Sequence, residues 1–514
     1  MNKAIVIGSG FAGLASAVRL INKGYDVTIL EAQENLGGRA SVFKEGGYIF
    51  DAGPTVITAP YLINELFELL GEDPKNYYEL IPIDPFYRII FHDGSKFDYV
   101  GEESRILENI RALSPSDVDG YRRLAKHAQD IFDVGYTKLA DEPFDTVSSM
   151  LRAVPDMIRL QNYRSVYGLV SKYIKDERLR MAFSFEPLLV GGNPTTITSI
   201  YLLIHWLERK WGVFFVKGGT GALVESFKKL LILKGAKIHT KASVNKIDVQ
   251  SGKVKGVITT DERYFPCDVV VSNADPVRVY RDMIDSKHRT KHSDFRLSLK
   301  KHSMSLFVAY FGTKKLYPEL AHHTILMGPR YKGLLNDIFS KKHLADDFSL
   351  YLHAPTRTDS SLAPQGHECF YVLSPVPNKD GKINWFEEEK RYKEKIYKWL
   401  EKRQLPGLMD HLTVDFSITP DYFENNLQSE KGAAFGIEPS LVQSAYFRFH
   451  NKSEDIQGLY FVGANTHPGA GVPGVLNSAK VLEKMVPDLN LKFKTRVGRA
   501  SREFSHSRIE NRFE

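Results

Sequence analysis

The residues of this chain best suited to chemistry are two glycine-rich loops near its opposite ends. The first, residues 8–13 (Gly-Ser-Gly-Phe-Ala-Gly), follows the apolar run Lys3–Ile7. The second runs from Gly463 to Gly474 and follows an apolar run at residues 459–462. Because glycine has no side chain, such loops let the backbone approach a ligand closely. The two loops together predict one ligand held by both ends of the protein.

The first loop lies inside a strand–helix–strand unit. Lys3–Ile7 and Asp26–Leu30 predict strands, and residues 11–23 predict a helix between them. The helix has apolar residues at i, i+3, i+4 and i+7, the spacing of a face that packs on a sheet. Glu31 ends the second strand about 20 residues after the glycines, where an acid can bind ribose hydroxyls. We interpret the unit as a dinucleotide site, with a structural glycine turn as the alternative.

Each glycine of this loop has a physical role. Gly8 permits the tight turn, Gly10 lets a pyrophosphate approach the backbone, and Gly13 lets the helix pack close to the strand. The pyrophosphate would lie at the helix N-terminus, where unpaired N–H groups and the helix dipole favour an anion. The motif alone does not choose between NAD and FAD.

The segment that follows chooses FAD. Residues 35–40 contain Gly37, Gly38 and Arg39, and they resemble the Gly-Gly-Arg extension of FAD enzymes of the amine-oxidase and desaturase type. The arginine offers a fork of donors to phosphate oxygens. A Gly-Gly turn with a surface arginine is the alternative.

Residues 50–56 (Phe-Asp-Ala-Gly-Pro-Thr-Val) resemble the segment beside the isoalloxazine end of the flavin in those enzymes. Asp51 and Thr55 could equally be turn and cap residues, since Asp, Gly and Pro cluster in turns. The segment 217–220 (Lys-Gly-Gly-Thr) lacks the ending of a phosphate loop, so it predicts the start of a helix.

The chain as a whole resembles the bacterial-type phytoene desaturases, which are FAD-dependent, amine-oxidase-like carotenoid desaturases. The likeness covers residues 3–484, including stretches without a cofactor role at 188–194, 211–213, 349–355 and 359–364. Amine oxidases and disulfide reductases share only the nucleotide motifs. The final loop departs from the commoner pattern at Asn465, where glycine is frequent.

The resemblance implies dehydrogenation of a neutral hydrocarbon. A hydride would pass to the oxidised flavin and a proton would leave the adjacent carbon, with the substrate held in a dry tunnel. It also implies a catalytic Asp and Arg on one helix. Arg152 is present, but Ser149 stands where the acid is expected, so Asp145 or Glu186 could serve instead. His467 could accept the proton; a surface position for Arg152 and a backbone hydrogen bond for His467 are the alternatives.

The predicted cofactor-binding residues come from all these segments, with Val244 added because the corresponding strand of the family lies beside the adenine. They are Gly8, Gly10, Phe11, Ala12, Gly13, Glu31, Gly37, Gly38, Arg39, Gly53, Pro54, Thr55, Val56, Val244, Gly463, Ala464, Gly474 and Val475. Arg152 and His467 are the candidate catalytic residues, and no metal site is predicted.

Composition restricts the remaining possibilities. The chain has 514 residues, 43% hydrophobic and 25% charged, which is typical of a globular protein with more than one domain. Its two cysteines, Cys267 and Cys369, are too few for a disulfide scaffold and predict a reducing compartment. The N-terminus enters a strand at once, so we expect no cleaved signal peptide. No apolar run approaches the roughly 20 residues of a membrane-spanning helix.

The net charge of +7 is concentrated in the tail from Lys492 onwards. Such a tail can be solvated or can rest on anionic lipid, each cation contributing about 1 kcal/mol. No recognition-helix or RNA-binding motif supports a nucleic-acid partner. An apolar surface for the membrane is expected in the helical region or at Trp206, Trp211, Phe214 and Phe215, where core packing is the alternative.

The predicted fold is α/β. A discontinuous Rossmann-like FAD-binding domain is assigned to residues 1–80, 214–293 and 455–486, and a mixed β-sheet substrate domain to 81–103 and 294–454. Residues 104–213 are assigned to a helical, membrane-facing block and 487–514 to a basic, flexible tail. Helices are expected from residue 61 to about 80 and at 387–401, the latter solvated because of its mixed charges.

The predicted function is FAD-dependent desaturation of 15-cis-phytoene, in successive steps, toward neurosporene or lycopene. The alternatives are a C30 diapophytoene desaturase, a carotene isomerase, a terminal-group oxidase, or a flavin-bearing carotenoid carrier without turnover. The expected partners are the carotenoid precursor, the membrane surface, and oxygen or a quinone as electron acceptor. The expected location is the cytoplasm, peripherally at the inner face of the cell membrane.

Overall fold

The computed structural model describes residues 2–490, which form two large sheets with helices between and around them. Of the basic tail predicted at 487–514, residues 491–514 lie outside the described residues. Within residues 2–490, no helix is both long enough and apolar enough to cross a bilayer.

Strands and helices are numbered here in chain order. The strands β1 to β19 are Lys3–Ile7, Asp26–Leu30, Val42–Glu45, Tyr48–Asp51, Leu80–Pro82, Tyr87–Ile90, Lys96–Tyr99, Phe214–Val216, Lys237–His239, Val244–Gln250, Lys253–Thr259, Tyr264–Pro266, Val269–Ser272, Ser305–Thr313, His323–Leu326, Leu350–His353, Glu368–Val376, Leu412–Ile418 and Leu459–Phe461. The helices α1 to α16 are Phe11–Asn22, Tyr61–Glu68, Glu103–Leu113, Val118–Gly135, Val147–Arg159, Val166–Tyr173, Glu177–Ala182, Leu203–Trp211, Thr220–Leu233, Pro276–Asp282, Asp294–Ser298, Tyr331–Asn336, Trp385–Arg403, Leu408–His411, Pro420–Asn425 and Val472–Met485.

A five-stranded parallel sheet joins the two ends of the chain. Its strand order is β19-β13-β1-β2-β9, and all neighbouring strands run parallel. Parallel strands covered on both faces consist of continuous apolar runs, and every residue of β13 is buried. Since β13 lies between β1 and β19, the loops that follow these strands emerge at the same edge of the sheet.

The two faces of this sheet are covered by different elements. Val6 of β1 packs in a cluster with residues of α1, α9 and α16, such as Leu14 and Leu476. Its neighbour Ile5 packs with the three-stranded sheet β10-β11-β12, for example against Val257. This alternation follows from the period of two along a strand.

A seven-stranded mixed sheet lies beside it, in the order β18-β14-β17-β16-β15-β6-β7. Only the β15–β6 pair is parallel among its described strands. Val308 of β14 packs in a cluster with residues of the helices α3, α4, α6 and α7, whereas Phe307 faces α13. The sheet therefore presents one face to the helical region and the other to α13.

Two expectations about helices need correction. The helix from Tyr61 ends at Glu68 rather than near residue 80, because Gly71 adopts φ of +76° and Pro74 follows. Helix α13 is solvated on one side only. The side chains it buries are Trp385, Tyr392, Ile396, Tyr397 and Leu400.

The aromatic cluster expected as a possible membrane surface packs partly against other side chains. Trp211 contacts the rings of Tyr61, Phe132 and Tyr136 at centroid distances of 4.9 to 5.4 Å. Phe215 is buried, whereas Trp206, Trp211 and Phe214 are half-buried. Among the α-helices within residues 2–490, α5 has no buried residue.

Candidate active site

The two glycine loops meet at the side chain of Asn273, which follows β13. A Cβ atom on Gly10 would lie 2.6 Å from Asn273 Nδ2, and one on Gly463 would lie 2.5 Å from Asn273 Oδ1. Both loops therefore need glycine where they meet this side chain. Sequence reasoning missed Asn273, although a polar turn at the carboxyl end of a buried parallel strand is where ligands bind such sheets.

Gly8 and Gly13 hold helix α1 close to β1. Gly8 has φ of +88°, in the left-handed region that favours glycine. A Cβ atom on Gly13 would lie only 2.1 Å from the Gly8 carbonyl oxygen. Helix α1 starts after Gly10 with no capping side chain. Its first N–H groups are therefore available to an anion.

Glu31 fixes the first loop from the end of β2. Its Oε2 accepts hydrogen bonds from Ser9 N at 2.8 Å and from the Ser9 hydroxyl at 2.5 Å, and its Oε1 accepts from Gln33 N at 2.9 Å. The residue is buried, yet it lines the cavity described below. A carboxylate held at that wall is a suitable acceptor for ribose hydroxyls.

Arg39 extends from the Gly-Gly turn to the segment 429–434. Its Nε donates to the Ala434 carbonyl and its Nη2 to the Ser429 hydroxyl, both at 2.7 Å. Loss of solvent lowers the pKa of this guanidinium, while Asp275 acts in the opposite direction. Arg39 is thus not a surface arginine, and its side chain lines the cavity.

Asp51 and Thr55 lie close in sequence but have different environments. Asp51 accepts from Thr220 N and from the Thr220 hydroxyl, both at 2.8 Å, at the start of α9. Burial raises the pKa of the Asp51 carboxyl to about 6, against the effect of these bonds. Thr55 lines the cavity, and its hydroxyl lies 2.6 Å from that of Tyr371 and 3.0 Å from that of Tyr351. Asp51 is therefore a capping group, as the alternative interpretation proposed.

Arg448, which sequence reasoning did not select, organises the final loop. Its guanidinium donates to the carbonyl oxygens of Thr466, at 3.0 Å, and Ala464. Asn465 Oδ1 accepts from Ile437 N at 2.7 Å, which gives the unusual asparagine a structural role. These contacts tie the loop to the segment that precedes β19.

One cavity of about 520 Å³ connects the two loops with the seven-stranded sheet. It is lined by most of the predicted cofactor residues: Gly8, Gly10, Phe11, Ala12, Glu31, Gly37, Gly38, Arg39, Gly53, Pro54, Thr55, Val56, Val244, Ala464, Gly474 and Val475. Gly13 and Gly463 lie behind this wall, where they make the close contacts given above.

Beyond the glycine loops, the wall of the same cavity is largely aliphatic. Its side chains include Leu188, Leu189, Leu306, Val308, Ile325, Met327, Leu334 and Leu335. Glu208 on α8 introduces a carboxyl group into this wall. A chamber of this kind suits a long apolar molecule, with few polar groups to fix its orientation.

The two candidate catalytic residues lie elsewhere. Arg152 is exposed on α5, outside the cavity lining, so the surface alternative describes its position. His467 is buried behind the lining; its Nε2 donates to the Leu139 carbonyl at 3.0 Å, and its ring packs on Phe144. Burial lowers the pKa of His467 to about 4, so the ring is neutral near pH 7.

A buried cluster of three histidines was also missed; two lie on β15 and β16, and the third directly precedes β15. Nitrogen atoms of His322, His323 and His353 lie within 4.8 Å of one another. Burial lowers the pKa of all three rings. The Tyr351 hydroxyl lies 2.7 Å from His323 Nδ1, which joins the cluster to the cavity wall near Thr55.

Comparison with known proteins agrees with this geometry. The family model of flavin containing amine oxidoreductases matches residues 11–481. The chain belongs to this family. A phytoene desaturase (lycopene-forming) of Pantoea ananas is 47% identical over 481 residues, 93% of this chain and 98% of the relative. A phytoene desaturase (neurosporene-forming) of Rhodobacter capsulatus is 42% identical over 95% of this chain and 94% of the relative. The resemblance inferred from the residues is confirmed.

Solved structures support the amine oxidoreductase fold. A putrescine oxidase mutant matches with a TM-score of 0.64 and 11% sequence identity, covering 94% of this chain and 97% of that chain. An oxidoreductase from Methanosarcina mazei matches with a TM-score of 0.60 and 17% identity, covering 94% and 99%. At such identities the likeness concerns the fold alone.

Membership of the amine oxidoreductase family identifies a flavin as the cofactor, and the site fits it. Helices α1 and α16 each have a glycine as the N-cap residue, Gly10 and Gly471, and neither has a capping side chain. Gly10, Gly471 and the first residue of each helix line the cavity. Two open helix N-termini can thus meet electron-rich groups of one ligand.

Proposed function

We propose that this protein is an FAD-dependent phytoene desaturase. The observation that carries the proposal is one continuous cavity that begins between two nucleotide-type glycine loops and ends in an aliphatic chamber. Relatives that are 45 to 47% identical over nearly their whole length are lycopene-forming phytoene desaturases. The substrate class follows from both the chemistry of the wall and these relatives.

FAD is the form of flavin that we propose. Glu31 would accept the ribose hydroxyls, the N-terminus of α1 would receive the pyrophosphate, and Arg39 would donate to phosphate oxygens. Val244 lines the same cavity at the side of Glu31, where the adenine is expected. When bound, the flavin supplies a two-electron acceptor for hydride.

The protein's part in the reaction is to bind a hydrocarbon that has no charged group for the protein to contact. The aliphatic walls exclude water and align the chain with the cofactor end of the cavity, which lowers the entropy cost of reaching the reactive geometry. Thr55, Tyr351 and Tyr371 give that end a small polar patch joined by hydrogen bonds. The remaining requirement is a group that takes up the proton lost by the substrate.

We propose the C40 precursor 15-cis-phytoene as substrate and lycopene as the final product, with neurosporene as the earlier stopping point. The lycopene-forming relatives have 45 to 47% identity, the neurosporene-forming ones 39 to 42%. A C30 enzyme, 4,4'-diapophytoene desaturase of Methylomonas, has 29%. We propose oxygen or a quinone as the final electron acceptor.

We propose a peripheral position at the inner face of the cell membrane, through α5 and the segment 441–447. Leu151 and Ile158 on α5 are 64% and 63% exposed, and Val442 is 73% exposed. Exposed apolar side chains flanked by cations such as Arg152 and Arg159 suit the interface of an anionic bilayer. The substrate would then enter from the lipid.

The test is to add purified protein and FAD to liposomes that contain phytoene, and to follow absorbance and products by chromatography. The proposal expects long-wavelength polyene bands and a product with lycopene's retention. A flavin that is bound and reducible by dithionite, but unaffected by phytoene, would support a carotenoid carrier instead. Turnover restricted to a C30 substrate would contradict the proposed substrate.

A further inference from the structure

Glu208 is a buried carboxyl group with one oxygen left unpaired. It is 1% exposed and lines the aliphatic part of the cavity. Its Oε1 accepts a hydrogen bond from the Tyr87 hydroxyl at 2.6 Å. Within residues 2–490 its Oε2 has no hydrogen-bond partner. Buried polar atoms are nearly always paired, so an unpaired carboxyl oxygen on a residue that lines the cavity needs a functional explanation.

A second buried carboxyl group, Glu186, lies near Glu208. The Tyr99 hydroxyl is hydrogen-bonded to Glu186 Oε1 and to His205 Nδ1. Tyr87 and Tyr99 are register partners in neighbouring strands, with ring centroids 5.9 Å apart. The two carboxyl groups thus share a pair of adjacent tyrosines, and each contributes to the electrostatic environment of both hydroxyls.

Hydrogen bonds connect this pair with His205, Tyr121 and Arg209. The other ring nitrogen of His205, Nε2, lies 3.3 Å from the Tyr121 hydroxyl. Arg209 donates to that hydroxyl, and its Nη2 lies 3.6 Å from the carboxylate of Glu103, whose side chain is 65% exposed. Burial lowers the pKa of His205 to about 3, so its ring is neutral near pH 7 and adds no positive charge beside the two carboxyl groups.

The pair is built to hold a proton. Burial raises the pKa of Glu186 to about 8, and burial together with the charge of Glu186 raises the pKa of Glu208 well above its ordinary range. Two carboxylates this close in a dry site cannot both ionise easily. The first ionisation of the pair therefore belongs to mildly alkaline pH.

Side-chain contacts extend from Glu208 to the expected flavin end of the cavity. The ring of Tyr87, its hydrogen-bond partner, is 5.8 Å from that of His323, which is 5.7 Å from that of Tyr351. The Tyr351 hydroxyl is 3.0 Å from that of Thr55. A short series of side chains thus connects Glu208 with the segment assigned to the isoalloxazine ring.

We propose that Glu208 is the group that removes the proton during desaturation, with the Tyr87 hydroxyl holding its carboxyl group in place. One C–H bond would break, and its hydrogen would pass to the flavin with the electron pair, as hydride. The adjacent C–H bond breaks, its electron pair forms the new C=C bond, and the proton bonds to the carboxylate of Glu208. This inference rests on the proposed desaturase function.

Each desaturation leaves one proton on Glu208, which must be released to water when the product leaves the cavity before the next step can begin. Glu208 is the catalytic residue in this scheme. Tyr87 positions its carboxyl group, and Glu186 acts on it through its charge.

The experiment uses the flavin-loaded full chain in phytoene liposomes without oxygen, and follows flavin bleaching in a single turnover. Glu208→Gln keeps the shape of the side chain but cannot take up the proton. We therefore expect the rate of flavin bleaching to fall by a factor of at least about 100, within the range of general acid–base effects. The wild-type rate should rise between about pH 7 and 9 as the pair ionises. The titratable groups that interact with Glu208 are Glu186, Tyr87 and Tyr99. Around these, Tyr351 interacts with Tyr87, and Arg209 with His205.

A second measurement does not depend on activity. The infrared C=O band of protonated carboxyl groups in the flavin-free protein should shrink over the same pH range, and Glu208→Gln should remove part of it. Glu225→Gln, at an exposed position on α9 paired with Lys228, is the matched control and should change neither the rate nor the band.

Wild-type rates and pH dependence in Glu208→Gln protein would overturn the inference. If that variant fails to fold, Tyr87→Phe decides. It removes the hydrogen bond that favours the ionised carboxylate, so the alkaline rise should move to higher pH, and an unmoved rise would overturn the inference. Absence of any flavin bleaching by phytoene in the wild type would instead reject the proposed function itself.

Discussion

Asn273 Nδ2 occupies the space that a side chain on Gly10 would need, since a Cβ atom there would lie 2.6 Å from it. A Cβ atom on Gly463 would lie 2.5 Å from the Oδ1 atom of the same side chain. One asparagine therefore sets the separation between the two glycine loops. Any group added at either glycine must displace it and change the shape of the cofactor end of the cavity.

Gly10→Ala should therefore abolish flavin binding, measured as the yellow absorbance retained after purification. Gly94→Ala is the matched control. It lies in the turn between β6 and β7, has φ of +85°, and a Cβ atom there would meet nothing within 4 Å. The control should keep its flavin. Full flavin content in Gly10→Ala protein would show that the pyrophosphate lies elsewhere.

Glu31→Gln should weaken flavin binding roughly 10- to 100-fold. The substitution removes the negative charge that accepts from Ser9 and would accept from ribose, and hydrogen bonds to charged groups contribute about 1.5–3 kcal/mol. Titration of the flavin-free protein with FAD, followed by flavin fluorescence, gives the dissociation constant. Glu34→Gln changes an exposed carboxylate three residues later, paired with Lys241, and should bind as the wild type does. Equal affinities for both variants would contradict the role of Glu31.

Asp51 should make stability depend on pH. Its folded-state pKa of about 6 lies above the ordinary value of 3.8, so the folded protein holds the proton more tightly. That stabilisation is complete below pH 3.8 and is lost as the pH rises through 6. Relative to Asp51→Asn, the wild type should lose up to about 3 kcal/mol over this range.

Urea unfolding of both proteins at a series of pH values measures the difference. Asp410→Asn, at an exposed position on α14, controls for general effects of the substitution. A constant difference between wild type and Asp51→Asn from pH 4 to 7 would mean that Asp51 is ionised throughout.

Leu151→Glu and Ile158→Glu should each reduce sedimentation of the protein with anionic liposomes, roughly 10-fold or more. Burying one such side chain contributes about 1.5–3 kcal/mol. Phe386→Glu, on α13, is the control because that side chain is 95% exposed and lies on a different element. If the control weakens binding as much as the α5 variants, the membrane surface is not on α5.

His467→Phe should lower the free energy of unfolding by about 1–3 kcal/mol, because the Leu139 carbonyl loses its buried donor. The pH dependence of turnover between pH 5 and 8 should stay as in the wild type, since the pKa of His467 lies near 4. Loss of a kinetic transition near pH 6 to 7 would instead identify His467 as the base.

The nucleotide-binding part of the fold could be predicted closely from the sequence. The strands Lys3–Ile7 and Asp26–Leu30 have the predicted bounds, because each is an apolar or alternating run with clear turn residues beside it. Gly13 also has the predicted role of bringing helix and strand together. These features depend on neighbours in sequence, which a pattern reports directly.

The features that were missed depend on contacts between distant segments. Asn273, Arg448 and Glu208 are separated along the chain from the residues they serve. Nothing in the local sequence marks Arg448 or Glu208, and Asn273 is marked only by its place after a buried strand. The apolar side of α13 was overlooked because charged residues outnumber the buried ones on the same helix. Arg152 was selected by resemblance alone, and the structure places it on an exposed helix.

Strand β19 comes late in the sequence but pairs with β13 in the same sheet as β1, and this affects when the protein can bind its cofactor during synthesis. The loop at residues 8–13 emerges from the ribosome long before residues 463–475 are synthesised, and both segments are needed to complete the cavity. The nascent chain consequently cannot retain its prosthetic group during most of translation. Flavin uptake is expected to be a late event, completed only when the final parallel strand has joined the sheet.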